Sequence, residues 1–273
     1  MELMGIVNVT PDSFYAPSRV DGTEAAMARI AELRGRGCSI IDIGAVSTRP
    51  GAAEVSVDEE WRRLEPVLTE IAGMPADGVS LRSTPPSKAG PLPLMVPRVA
   101  QPLPGIPAIS IDTTSSEIVR KAYDILGPFI VNDISAGEDD PQMLATVAEL
   151  GLSYIAMHKR GNPRTMDSLC EYPRGVVEAL DGYFTEFAAR AESIGIKDWI
   201  LDPGFGFSKN PVQNWELLEN LQAFRHFGRP ILVGVADKRF TRTPNPFDPG
   251  AAPSSEYAER LAKERGADIL RIH

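Results

Sequence analysis

AISIDTTSSEIVRKAYDILGPFIVND, residues 108–133, carries in one stretch the pattern that decides the fold. An apolar run at 108–112 ends in Asp112, a helix-period segment follows at 115–126, and a second apolar run at 129–133 holds Asn132 near its end. Ser115 or Ser116, just ahead of Glu117, supplies a cap for the segment between the two runs. Strand, crossover helix and strand make a parallel βαβ unit, because a hairpin joins its strands by only a few residues.

Outward from this unit the same alternation continues. Apolar runs lie at 3–8, 39–44, 153–158, 199–202, 231–234 and 269–273, and helix-period segments at 23–35, 56–72, 140–150, 178–194, 211–224 and 255–266, with Asp139 before Pro141 as a further cap. Eight strands in such units close into an α/β structure, the (β/α)8 or TIM barrel, whose active-site face lies at the C-terminal ends of the strands. No helix is expected after the eighth strand, which carries Arg271 and His273, and apolar surface on strands eight and one is then left to a partner. The stretch 73–107 has neither period and contains Pro75, Pro85, Pro86, Pro91, Pro93, Pro97, Pro102, Pro104 and Pro107, so it reads as an irregular proline-rich insertion before strand 3, on the face opposite the chemistry.

Composition bounds the rest. The 273 residues suit one barrel domain spanning 1–273, and no apolar run approaches the ~18 residues of a membrane span. The start lacks a basic segment and cleavage site, and the two cysteines, Cys38 and Cys170, have no metal or redox spacing, so a cytoplasmic protein is expected. A net charge of -9 argues against nucleic acid and anionic membranes as partners, so any anionic ligand must meet a local basic cluster.

Such a cluster is visible at the strand ends. Thr48 and Arg49 follow strand 2, Lys238 follows strand 7, and Arg271 and His273, two apart on strand 8, point to the same side. Barrels often hold phosphate near strands 7 and 8. Asp112, Asn132 and Asp202 end strands 3, 4 and 6, and together they make a polar wall able to accept donors from a flat heterocycle edge. Plainer readings stand beside these: Asp112 and Asp202 as caps or lysine partners, Arg271 and His273 as charges on a frayed strand, and Asn8 to Phe14 as a simple turn. Nucleotide-loop, zinc-protease and nucleophile-elbow motifs are absent.

A family resemblance rests on these same residues. Met4 to Phe14 (MGIVNVTPDSF), Asp42-Ile43-Gly44 with Ser47-Thr48-Arg49-Pro50-Gly51, Ser110-Ile111-Asp112-Thr113, Asn132-Asp133-Ile134-Ser135, Met157-His158 with Gly161-Asn162-Pro163, Asp202-Pro203-Gly204-Phe205-Gly206-Phe207 and Arg271-Ile272-His273 resemble, in order, the motifs of the dihydropteroate synthases, enzymes of the pterin-binding barrel family. The resemblance implies a folate-biosynthesis transferase and sulfonamide target that joins 6-hydroxymethyl-7,8-dihydropterin diphosphate to 4-aminobenzoate, releases pyrophosphate and uses Mg2+. It also implies roles: Asp112, Asn132, Asp202 and Lys238 on the pterin, Met157 and Phe207 against its ring, Thr48, Arg49, Arg271 and His273 on the diphosphate, Phe14 near the aminobenzoate, and Asn8 on the metal. Lys238, Arg271, His273 and Arg49 would carry the catalysis.

Three departures stand out. Ala236-Asp237-Lys238 replaces the family's usual Ser-Arg-Lys, putting a negative charge where an anionic aminobenzoate is expected; a proline-rich stretch, 241–254, replaces the usual segment leading to the next helix; and the final helix of the family's dimer surface is missing, which weakens the expected homodimer. A weakened pterin-binding paralogue and a pterin-dependent methyltransferase domain are the alternatives.

Overall fold

The computed structural model describes residues 1–10, 22–46, 55–74, 107–162 and 164–273. Thr48, Arg49, Phe14 and nearly all of the proline-rich insertion lie outside these residues. The eight strands are β1 (Glu2–Asn8), β2 (Ile40–Gly44), β3 (Ala108–Asp112), β4 (Ile130–Asp133), β5 (Ser153–Met157), β6 (Trp199–Asp202), β7 (Leu232–Val233) and β8 (Ile269–Ile272). All pair in parallel in the order β6-β5-β4-β3-β2-β1-β8-β7, and a parallel bridge from Leu201 to Ile231 joins the two outer strands into a TIM barrel. The helices are α1 (Thr23–Gly35), α2 (Val57–Ala72), α3 (Ser116–Leu126), α4 (Met143–Leu150), α5 (Val176–Ile194), α6 (Pro211–Glu219) and α7 (Ser255–Glu264).

The strand period of two sorts the side chains. Ile41, Ile43, Ile111, Val131, Tyr154, Leu201, Val233 and Leu270 are in the large core shared with the helices, among Leu33, Leu64, Val119, Phe184 and Trp215. One residue from each strand, Met4, Ile40, Ala108, Ile130, Ile155, Ile200, Leu232 and Ile269, forms a separate apolar cluster that floors the barrel. Two residues further along, the same side of each strand reads Ile6, Asp42, Ser110, Asn132, Met157, Asp202, Gly234 and Arg271. A dry floor therefore lies directly below a polar layer, and that layer follows from strand register.

Helix ends are set as the cap positions require in most cases. Ser115 accepts from the Ile118 N–H (3.4 Å), and Asn210 and Gln213 form a reciprocal capping box at α6. The expected cap at Asp139 is corrected. Asp140 accepts instead from the Gln142 and Ser116 N–H groups (2.8 and 2.7 Å), α4 starts only at Met143, and Asp139 pairs with Lys159 at 2.8 Å. The segment expected as one helix over 211–224 also breaks. The Asn220 amide donates to the Glu216 carbonyl (2.8 Å) at the end of α6, and a 3-10 turn continues over Leu221–Phe227.

The floor carries the strand side of the barrel's stability. Ile155→Ala leaves a cavity among the seven other floor side chains and is expected to cost about 2–5 kcal/mol, read as a lower midpoint in urea unfolding.

Candidate functional site

Above the floor the polar layer is wired from the strands. Asp42 on β2 accepts from the Ser110 hydroxyl of β3 (2.8 Å) and from the Asn132 amide nitrogen of β4 (3.0 Å), and all three are buried. That bond fixes the Asn132 amide so that its Oδ1 faces away, and this buried oxygen has no hydrogen-bond partner. On β6, Asp202 Oδ1 accepts from the Gly204 N–H (2.8 Å), leaving Oδ2 buried and also without a hydrogen-bond partner. Two buried acceptors left open on one barrel wall are costly unless a ligand brings donors to them. The plain reading of Asp202 as a turn former is thus half right. For α3 the cap is Ser115, not Asp112.

Charge in this layer is unbalanced. Arg271 on β8 is 12% exposed, and its Nη2 lies 3.9 Å from Asp202 Oδ2. Burial pulls its guanidinium down, but Asp202, Asp42 and Asp112 outweigh that and hold it firmly charged. Burial raises the Asp42 carboxyl, against the pull of Arg271, Ser110 and Asn132, and raises Asp112 well above the carboxylate range, with the Asp42 charge adding to the effect. Gly234 on the wall beside Arg271 has a simple reason, since a Cβ there would sit 3.1 Å from Nε and Nη2 of the guanidinium.

The loop after β6 supplies the apolar side. Phe207 packs with Ile134, Met157 and Met166 in a small cluster apart from the main core, and Lys238 Nζ stands 5.0 Å from the Phe207 ring centroid. Gly206, at φ +79°, leaves room for the Lys238 stem, whose Cδ would be 3.3 Å from a Cβ at that position. One cavity of about 970 Å³ joins these parts; Asn8, Asp42, Asp112, Phe207, Lys238, Arg271 and His273 all line it.

Of the residues named from sequence, the structure brings Asn8, Asp112, Phe207, Lys238, Arg271 and His273 to this cavity, with Asn132, Met157 and Asp202 built into the wall around it. Thr48, Arg49 and Phe14 lie outside the described residues. Sequence reasoning gave no role to Asp42, Ser110 or Lys209. Asp42 and Ser110 sit two residues beyond the floor positions Ile40 and Ala108, so the period-two count through β2 and β3 would have found them. No group of three or more His, Cys, Asp or Glu able to hold a metal exists among the described residues. Chemically, the site offers acceptors for the N–H edge of a planar ring, an apolar slab for its face and cations for a negatively charged group.

The chain matches the model of the family described as pterin binding enzyme over residues 4–90 and 94–273. It is 36% identical over 274 residues to the dihydropteroate synthase of Escherichia coli (strain K12), covering 99% of this chain and 86% of that one. Among solved structures it superposes on the Yersinia pestis dihydropteroate synthase in a sulfonamide complex with a TM-score of 0.78 at 29% identity, covering 100% and 88% of the two chains. The Xanthomonas albilineans dihydropteroate synthase with 4-aminobenzoic acid gives 0.75 at 33% identity, covering 100% and 87%, and the same protein has been solved with 7,8-dihydropteroate.

The crowded carboxylates give a stability prediction. A carboxyl with a raised folded pKa favours the folded state below the unfolded value near 4 and loses that contribution as pH rises through the folded pKa. At neutral pH, Asp112→Asn is therefore expected to raise the melting temperature by about 2–4 °C and to weaken binding at the site, measured by thermal melts at about pH 5 and pH 7; the gain should shrink at the lower pH.

Proposed function

The chain belongs to the pterin-binding enzyme family, and from that premise we infer that it is a transferase condensing 6-hydroxymethyl-7,8-dihydropterin diphosphate with 4-aminobenzoate to give 7,8-dihydropteroate and pyrophosphate. The observation that carries this reading is the pair of open buried acceptors, Asn132 Oδ1 and Asp202 Oδ2, on one wall beside the Phe207 face. The pterin's amidine edge presents N–H donors to these oxygens and to Asp112, and its ring lies against Phe207 and Met157. In the reaction the bond between the methylene carbon and the diphosphate oxygen breaks, and pyrophosphate leaves with the electron pair. The aminobenzoate nitrogen forms the new bond to that carbon and gives up a proton to pyrophosphate or solvent.

An aromatic amine is a competent nucleophile, so the protein's task is electrostatic. Lys238, Arg271 and His273, with Arg49 and Thr48 from the loop after β2, receive the diphosphate, while the aspartates behind the ring stabilise positive charge developing on the pterin methylene. Preorganised inside the barrel, Arg271 and the aspartates need little rearrangement as the bond breaks. The resemblance assigns Phe14 to the aminobenzoate, and exclusion of water from the site protects the developing cation.

A magnesium requirement fits the donors at the mouth. Asn8 offers one hard oxygen at the end of β1, and magnesium commonly takes its other ligands from phosphates and water rather than from a protein cage. Bound there, the ion would neutralise diphosphate charge. No helix among the described residues is long and apolar enough to cross a membrane, and both cysteines are free, which supports a cytoplasmic enzyme.

Pyrophosphate release from the pterin diphosphate, followed with magnesium and with or without 4-aminobenzoate, tests this reading. Release that depends on the aminobenzoate is expected; pterin binding without release would point to a weakened paralogue, and methyl transfer from a methylated folate to a pterin-dependent methyltransferase. Asp237 yields a second prediction. It is exposed at φ +53°, borders the cavity and donates its N–H to Ser255 Oγ (3.0 Å), so asparagine retains the backbone and removes the charge. Asp237→Asn should lower KM for 4-aminobenzoate by about two- to fivefold at low salt, with the gain fading as salt rises.

A further inference from the structure

Among the residues lining the cavity is a buried lysine that the mechanism above does not use. Lys209 is buried, and its Nζ is 2.9 Å from the Phe207 carbonyl oxygen, 3.0 Å from the Gly204 carbonyl oxygen and 3.0 Å from His158 Nδ1, with the His158 carbonyl oxygen more distant at 3.4 Å. An ammonium has three N–H donors and no lone pair, so it fills the three close acceptors at once. His158 is the matching partner. Burial, then Lys209 and Arg160, push its pKa well down, and the neutral ring presents Nδ1 as an acceptor.

These bonds reach the ligand wall by short routes. Gly204, whose carbonyl Lys209 holds, is the residue whose N–H holds Asp202 Oδ1 and so leaves Oδ2 open. Phe207, whose carbonyl Lys209 also holds, presents the aromatic face. Gly204 sits so close to β5 that a Cβ would collide with the His158 carbonyl oxygen, so the loop has one seated position. We propose that protonated Lys209 is the positioning residue of the pterin site, clasping the β6 loop to the end of β5 so that Asp202 and Phe207 are held in binding geometry. This rests on the pterin reading of the cavity.

The clasp is sensitive to pH. Burial lowers the Lys209 pKa to about 7; Asp202 on β6 and Cys170 in the loop before α5 oppose the loss of the proton, and Arg160 after β5 and Lys238 after β7 favour it. On losing the proton the amine keeps two donors and turns a lone pair toward its former acceptors, so one of the three ties is lost. A site that binds pterin better when Lys209 is charged must, by linkage, raise the Lys209 pKa when pterin binds.

The test uses the full chain with 13Cε-labelled lysine and 6-hydroxymethyl-7,8-dihydropterin, whose lack of a diphosphate keeps phosphate titration out of the signal. The Lys209 resonance should titrate near 7, and saturating pterin should move the midpoint up by about half a unit or more, matched by an affinity about threefold or more weaker at pH 8.5 than at pH 6. Lys209→Met, with its folding checked by circular dichroism, should bind the pterin about tenfold more weakly and without that pH dependence. A wild-type midpoint that pterin leaves unmoved overturns the proposal, as does a folded Lys209→Met protein that binds like wild type or retains the wild-type pH profile. If the variant does not fold, the wild-type titration decides alone. If wild type binds no pterin at all, the functional reading fails first.

Discussion

Three inward aspartates share one inward arginine at the mouth of this barrel. Asp42, Asp112 and Asp202 come from different strands, and Arg271 is the guanidinium whose charge all three feel. Its nearest carboxylate oxygen is at 3.9 Å, too far for a strong hydrogen bond, so the acidic cluster is only partly offset and is not closed on itself. A buried ion pair with good geometry would satisfy its own oxygens and have nothing left for a ligand. Here Asp202 Oδ2 and Asn132 Oδ1 stay open, and the protein tolerates the resulting cost because the floor beneath and the helix layer outside are apolar and well filled.

The other side of the site is maintained by backbone geometry. Gly204 and Gly206 take positive φ in the loop after β6, the first because no side chain fits against β5 and the second because the Lys238 stem passes beside it. Gly234, just after β7, performs the same service for Arg271 on β8. In each case absence of a Cβ lets a cation approach the wall or lets the wall approach its neighbour. The glycines of the Asp202 motif thus have steric reasons unrelated to nucleotide binding.

Much of this was legible in the sequence because the barrel has a strict side-chain period. Asp112, Asn132, Asp202 and Arg271 stood out as polar residues ending apolar runs, and all four do converge. Asp42 was passed over because Gly44, not a polar residue, ends its strand, although counting by two from Ile40 leads to it. Lys209 was not legible at all: nothing in its local sequence says that its Nζ turns back to His158, fifty-one positions earlier, and to the carbonyls of its own loop. The misplaced cap at Asp139 has a local cause, since neighbouring Asp140 makes the turn around Pro141 and releases Asp139 to Lys159. Boundaries failed where a side chain bonds backbone, as at Asn220, which periodicity does not register.

The two sides of the cavity tolerate substitution differently because they are built differently. The wall of Asp42, Ser110, Asn132 and Asp202 stands on strand positions two residues above a packed floor, where a changed residue disturbs register partners on neighbouring strands. The segment after β7, by contrast, is a connection. Ala236 and Asp237 lie just past a β-strand of two residues, Leu232–Val233, and Asp237 is exposed. Change there costs the barrel little, whereas Lys238 beside it is held by the Phe207 ring, 5.0 Å from its Nζ, and by the passage of its stem beside Gly206.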